Sequence, residues 1–154
     1  MKDTYESDNI VFTVLSPEYA DDDHEAVQWN IELIKQIRWE RGGWPNSEMT
    51  YSENKEDLRW HLEEFKQWKS FAYVIYSKSN PTYLGCVYLY PREKGFIEIP
   101  EWYDLDINFW VTKEAIDMWL FDEISQIIAS KISPENPFWK PYFSNLVLDS
   151  KDIK

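Results

Sequence analysis

"FAYVIYSKSNPTYLGCVYLY", residues 71–90, holds two runs rich in aromatic and β-branched residues with turn residues between them. Such residues fit a pleated, half-buried surface, so Phe71–Ser77 and Tyr83–Tyr90 read as strands. Ser79, Asn80 and Pro81 break the pattern between them, which predicts a hairpin. Gly85 interrupts the second strand on the face opposite Cys86, Tyr88 and Tyr90. A glycine inside a strand marks a bulge or a close approach of another group. The expected neighbour is a packed helix, with ligand approach as the second reading.

Upstream, Ile10–Leu15 forms a short apolar run closed by Ser16 and Pro17, a strand followed by a ladder breaker. A helix follows. Asp21, Asp22 and Asp23 suit its positive end, Arg38 and Arg41 its negative end, and Gly42 stands as a C-cap. Val27, Ile31, Ile34 and Ile37 share one face. Residues 42–51, "GGWPNSEMTY", are a connection, and residues 52–69 a second helix with Leu58, Leu62 and Phe65 inward and Ser52 or Asn54 as cap.

Downstream of the hairpin, a long loop (91–103) leads into "DLDINFWV", residues 104–111. Its alternation sets Asp106, Asn108 and Trp110 on one face and Leu105, Ile107, Phe109 and Val111 on the other. From Lys113 to about Ile132 there is neither Gly nor Pro, and Ile116, Leu120, Ile124 and Ile127 predict one long helix. A final strand is expected near "SNLVL", residues 144–148. A strand, a helix and another strand imply a crossover, so part of the sheet should be parallel.

The chain has 154 residues and a formal charge of −12, consistent with one domain over residues 1–154. So acidic a chain with scattered basic residues lacks the footprint of a nucleic-acid binder. Its field favours a cationic partner: a small amine, a basic peptide or a basic protein surface. One Cys excludes an internal disulfide, the N-terminal residues carry no apolar leader, and no stretch is long and apolar enough for a membrane span. A cytoplasmic protein without membrane attachment is the expectation. His24 and His61 have no metal-ligand spacing, so no metal site is expected; His61 reads as a partly buried residue of the second helix.

Trp44-Pro45, then Glu53, Asn54, Asp57, Leu58 and His61, then Phe71–Tyr76, then Gly85, Cys86, Val87, Tyr88 and Pro91, form a series of local motifs. Together with the element order, they resemble a small branch of the GNAT superfamily of acyl-CoA-dependent N-acyltransferases, over about Pro17 to Leu148. The resemblance implies an α/β fold, a GNAT-like mixed sheet with helices on both faces, here shortened after the fifth strand. It also implies acetyl-CoA as acyl donor, with no metal, held along the main chain of Trp110, Val111 and Thr112 and at Lys113, where the next helix begins. The superfamily's glycine-rich pyrophosphate signature departs: aligned on Val111, this chain has Ile116, Trp119 and Phe121 at its key positions, and Glu114 in the first turn.

Direct acyl transfer to an amine needs a base and positioning of the two reactants. By the same resemblance, the acceptor cleft lies beside the start of residues 104–111. That makes Asp106 the first candidate base and Glu98 the second, with Asp104, Asn108, Trp102 and Tyr103 as acceptor-side residues. Cys86 reads as a small buried hydrophobe. The alternative is a GNAT-derived binding or protein-interaction module without catalysis.

Overall fold

The computed structural model describes residues 1–38, 41–94 and 96–145. Six strands form one sheet in chain order: β1 (Thr4–Glu6), β2 (Ile10–Val14), β3 (Phe71–Ser77), β4 (Tyr83–Pro91), β5 (Leu105–Val111) and β6 (Pro141–Phe143). Neighbours are antiparallel except β5 and β6, whose parallel pairing is the one the crossover argument requires. The predicted final strand is centred a few residues earlier than expected, and positions 146–148 lie outside the described residues. β1 was not foreseen, because "TYE" carries no apolar alternation. Tyr5 anchors it: its ring packs edge-on against Tyr73 at 5.5 Å and its hydroxyl donates to Glu135 at 2.8 Å.

The alternation read from residues 104–111 is observed. Ile107, Phe109 and Val111 join Tyr73, Ile75 and Val87 in one core, against α5 (Phe121–Ile127) and a π-helical turn, Ile128–Ile132. Trp110, Cys86, Tyr88 and Val74 form the other core, against α1 (Ala20–Trp29), α2 (Ile31–Arg38) and α3 (Tyr51–Lys66). Helices therefore cover both faces. No helix among the described residues is long and apolar enough to cross a membrane.

Three helix expectations are corrected. The first helix breaks at Asn30, whose side-chain amide donates to Ala26 O at 2.7 Å while its Oδ1 accepts from Lys113 N at 2.9 Å. The cap of α3 is Thr50, which with Glu53 makes a reciprocal capping box; neither Ser52 nor Asn54 fills that role. The long helix after β5 is split into α4 (Lys113–Asp117) and α5, because Trp119 adopts φ +60° and is 87% exposed. That turn lets Leu120 and Phe121, adjacent in sequence, both enter the core.

Gly85 faces neither a helix nor a ligand site. Its φ is +140°, and a β-carbon there would stand 2.0 Å from the Trp110 carbonyl oxygen and 2.9 Å from Val111 Cα. The group that comes so close is the backbone of β5 itself, beside the β3–β4 register shift at Ile75 and Tyr76.

Between α1, α3 and β4 lies a buried polar cluster. Asp23 accepts from the Tyr83 hydroxyl and, at 2.9 Å, from Asn54 Nδ2; the Tyr83 hydroxyl is also 3.0 Å from Cys86 Sγ. Burial pushes the Asp23 carboxyl above its usual range and the Cys86 thiol well above its own, so Cys86 is no nucleophile.

Two outcomes follow. Gly85→Ala combines a disfavoured φ with a main-chain clash and should cost about 3 kcal/mol in urea titrations; a loss below about 1 kcal/mol would contradict the clash. For Asp23, a raised folded-state pKa means its stabilising contribution is complete below the ordinary carboxylate range and fades as pH rises through the folded value. The stability of the parent chain relative to Asp23→Asn should therefore grow as pH falls from neutrality into the acid range, and a difference that is flat or falls instead would refute the assignment.

Candidate functional site

A pocket of about 360 Å³ opens on the face of the sheet covered by α2 and α3. The last turn of α2 supplies Arg38, the connection to α3 supplies Arg41, Trp44 and Met49, and α3 supplies Asp57, Trp60 and His61. Asp57, Trp60 and His61 project together because residues three and four apart share a helix face. Tyr88 and Tyr90 project from β4 as alternate residues, and Phe96 reaches in from the β4–β5 loop.

Arg38 lies at the centre of the polar side. Its guanidinium lies over the Trp44 ring at 4.9 Å and over the Tyr88 ring at 4.7 Å, a cation–π contact with each. Nε donates to Asn108 Oδ1 at 2.9 Å. Asn108 Nδ2 donates to Asp106 Oδ2 at 2.7 Å, and the same oxygen accepts from Arg41 Nη1 at 3.0 Å. The amide orientation of Asn108 is dictated, since a guanidinium only donates and a carboxylate only accepts. Arg41 is engaged at each of its three nitrogens: Nε also donates to Arg38 O at 3.1 Å and Nη2 to Ser144 Oγ at 3.0 Å. Burial, then the charge of Arg38, lower the pKa of Arg41, and Asp106 opposes both.

His61 forms the α3 wall. Its ring centroid is 5.0 Å from Trp60 and 5.4 Å from Tyr88, and Nε2 is 3.6 Å from Asp57 Oδ2. Phe96 closes the rim, 4.7 Å from Tyr90 and 6.1 Å from Trp60.

The predicted site residues are distributed along β5. Asp106 and Asn108 lie in the buried layer beneath the pocket, with Asp106 Oδ1 buried and without a partner among the described residues. Glu98 is exposed on a loop that Arg92 pins by donating to Tyr103 O at 2.9 Å and Ile99 O at 3.3 Å. Asp104 accepts from Lys140 N at 3.1 Å, Trp102 is 62% exposed, and Tyr103 packs on Tyr142 at 5.2 Å. These residues gather at the start of β5, whereas Trp110, Val111, Thr112 and Lys113 stand at its far end, roughly 20 Å away along an extended strand. Trp110 is fully buried and donates its indole N–H to Tyr88 OH at 3.0 Å.

At the β5 edge facing β6, strand pairing ends at Ile107, whose carbonyl accepts from Ser144 N at 3.2 Å. Asn145 then substitutes for a strand: its Oδ1 accepts from Phe109 N at 3.1 Å, and its Nδ2 donates to Phe109 O at 2.5 Å and to Ile37 O at 3.4 Å. Thr112 N donates to Leu84 O, which turns Val111 the other way, toward the β6 side. Val111 N–H and C=O have no partner there among the described residues. At the start of α4, Lys113 N is held by Asn30 Oδ1 at 2.9 Å and Ala115 N by Thr112 Oγ1 at 3.2 Å.

The sequence analysis did not single out Arg38, Arg41, Trp44, Trp60, Tyr88, Tyr90 or Asn145 as functional. Arg38 and Arg41 read as helix-end charges, and the available signal was two arginines three apart ahead of Trp44 and opposite alternating tyrosines.

No family model and no curated protein matches the chain. Among solved structures it is similar to apo FdhC, a nucleotide-linked sugar GNAT, with TM-score 0.62 and 12% identity over 93% of this chain and 72% of that one. It is also similar to RimL, a ribosomal L7/L12 alpha-N-protein acetyltransferase, with TM-score 0.59 and 11% identity over 84% of this chain and 64% of that one. A third is the microcin C7 self-immunity acetyltransferase MccE in complex with acetyl-CoA and AMP, with TM-score 0.58 and 16% identity over 84% of this chain and 66% of that one. The chain thus spans slightly less than two thirds of RimL and MccE. Identities this low speak to architecture, and with the mixed sheet and its parallel β5–β6 pair they lead to one conclusion: the chain has the GNAT fold.

Proposed function

We propose that the chain is an acyl-CoA-dependent N-acyltransferase that moves an acyl group directly onto a primary amine bound in the Arg38–His61 pocket. The observation that carries this reading is an imidazole, His61, lining a ligand-sized pocket on a GNAT sheet. The solved acetyltransferases RimL and MccE, the latter in complex with acetyl-CoA, support it.

The fit to the donor is uneven along β5. The main chain of Val111, without a partner among the described residues, suits an amide of the pantetheine arm, within the stretch Trp110 to Thr112 expected from the sequence. The start of α4 does not suit a diphosphate: Asn30 and Thr112 hold the N–H groups of Lys113 and Ala115, and Glu114 adds a carboxylate beside the remaining one. A donor held along Val111 supplies an acyl group activated as a thioester.

The other tasks fall to side chains of the pocket. The acidic field of the chain, −12 in total, concentrates ammonium ions. His61 takes the proton from the ammonium at Nε2, and Asp57 stabilises the imidazolium that results. Asp106, the carboxylate first expected as base, acts in this proposal by fixing Arg41 and Asn108. Glu98 lies on the loop beyond Phe96.

With acetyl-CoA and a panel of amines, thiol release should be detectable. His61→Gln should lower its rate by roughly 10²- to 10⁴-fold, with Glu98→Gln near the parent rate. A large loss in Glu98→Gln with none in His61→Gln would move the base to that carboxylate. Acetyl-CoA at 100 times its dissociation constant should add about 2.7 kcal/mol of stability, a melting shift of roughly 5 to 11 °C for a chain of this size. Neither thiol release nor a shift at millimolar donor would defeat the acyltransferase reading.

A further inference from the structure

We infer that the pocket binds a primary alkylamine that carries both an aromatic ring and a carboxylate, a molecule of the aromatic amino-acid class, with Arg38 as its carboxylate anchor. This deepens the proposal above, because it assigns the acceptor of the same pocket.

The argument starts from charge. Arg38 is only 6% exposed, and a buried guanidinium is costly unless an anion faces it. Two guanidiniums, Arg38 and Arg41, share this layer with one carboxylate, Asp106, and Arg41 holds it directly at 3.0 Å. What Arg38 receives through Nε is the neutral amide of Asn108. Among the described residues no acceptor meets either of its Nη atoms, and Arg38 lines the cavity. The other cation nearby, Lys94, is paired with Glu64.

Geometry narrows the anion. The Trp44 and Tyr88 rings pack on the guanidinium at 4.9 and 4.7 Å and Asn108 holds Nε, so the Nη groups are the donors left for a ligand in the cavity. Two parallel N–H donors on a fixed plane match the two oxygens of a carboxylate. The body of the ligand is set by the walls: Trp60, His61, Tyr90 and Phe96 offer ring faces and edges, and about 360 Å³ is at the small end of ligand-sized pockets. The α3 wall supplies Asp57 beside His61, a place for the ammonium of the same molecule. An amine without a carboxylate would leave Arg38 unanswered and place a second cation near it.

Calorimetric titration without any acyl donor tests this apart from catalysis. Phenylalanine and 3-phenylpropionate should bind, and phenethylamine, which lacks the carboxylate, should bind about 10- to 100-fold more weakly than phenylalanine. Arg38→Lys, which keeps the charge and loses the fork, should weaken phenylalanine by a similar factor, with folding checked by circular dichroism. If that variant does not fold, the ligand series on the parent chain decides by itself. Phenethylamine binding as tightly as phenylalanine, phenyl phosphate binding more tightly than 3-phenylpropionate, or no binding of either carboxylate at millimolar concentration would each overturn the inference. Acyl transfer to phenethylamine with no preference for phenylalanine would overturn it while leaving the acyltransferase reading intact.

Discussion

Two guanidiniums and one carboxylate, joined by a single amide, occupy the buried layer between α2 and β5, and the site is organised around that imbalance. Arg41 neutralises Asp106 and at the same time bonds the carbonyl of Arg38 and the hydroxyl of Ser144, tying the end of α2 to the segment after β6. Asn108 passes orientation from the carboxylate to Arg38 without passing charge. A buried ion pair of this kind contributes little net stability, and breaking it by removing one partner is expensive. Its effect here is positional: of the two guanidiniums that line the pocket, it fixes which one is neutralised by Asp106 and which one is not.

The architecture was legible in the sequence where the pattern was periodic. The hairpin of residues 71–90 and the alternation of residues 104–111 dictated three strands and which residues point to each face, because pleat parity depends on nothing beyond the strand itself. Legibility failed where one residue competes for the backbone or a tertiary partner decides. Asn30 breaks a helix that its apolar stripe would continue. Trp119 does the same by adopting a conformation that side-chain-bearing residues seldom take. Strand β1 exists because β2 offers it an unpaired edge, which no local signal in "TYE" reveals.

The site was legible in part and for a related reason. Strand parity placed Asp106, Asn108 and Trp110 on one face, and the structure keeps them there. It could not show that Asp106 would be held by Arg41 from 65 positions earlier, nor that the Trp110 indole would be directed at Tyr88. Gly85 drew attention as an anomaly, and its cause proved to be the main chain of the next strand. His61, which reads in sequence as a partly buried residue of the second helix within the GNAT-like motif, gains its place in the site from the rings of Trp60, Tyr88 and Tyr90 around it.

Asn145 has a bearing on solubility. The edge of a sheet is a template on which another chain can pair, and β5 would expose such an edge once β6 diverges after Phe143. By presenting one donor and one acceptor from its side chain, Asn145 meets Phe109 as a strand residue would, yet it offers no onward ladder to extend. The seam is thus sealed against edge-to-edge association at that position among the described residues.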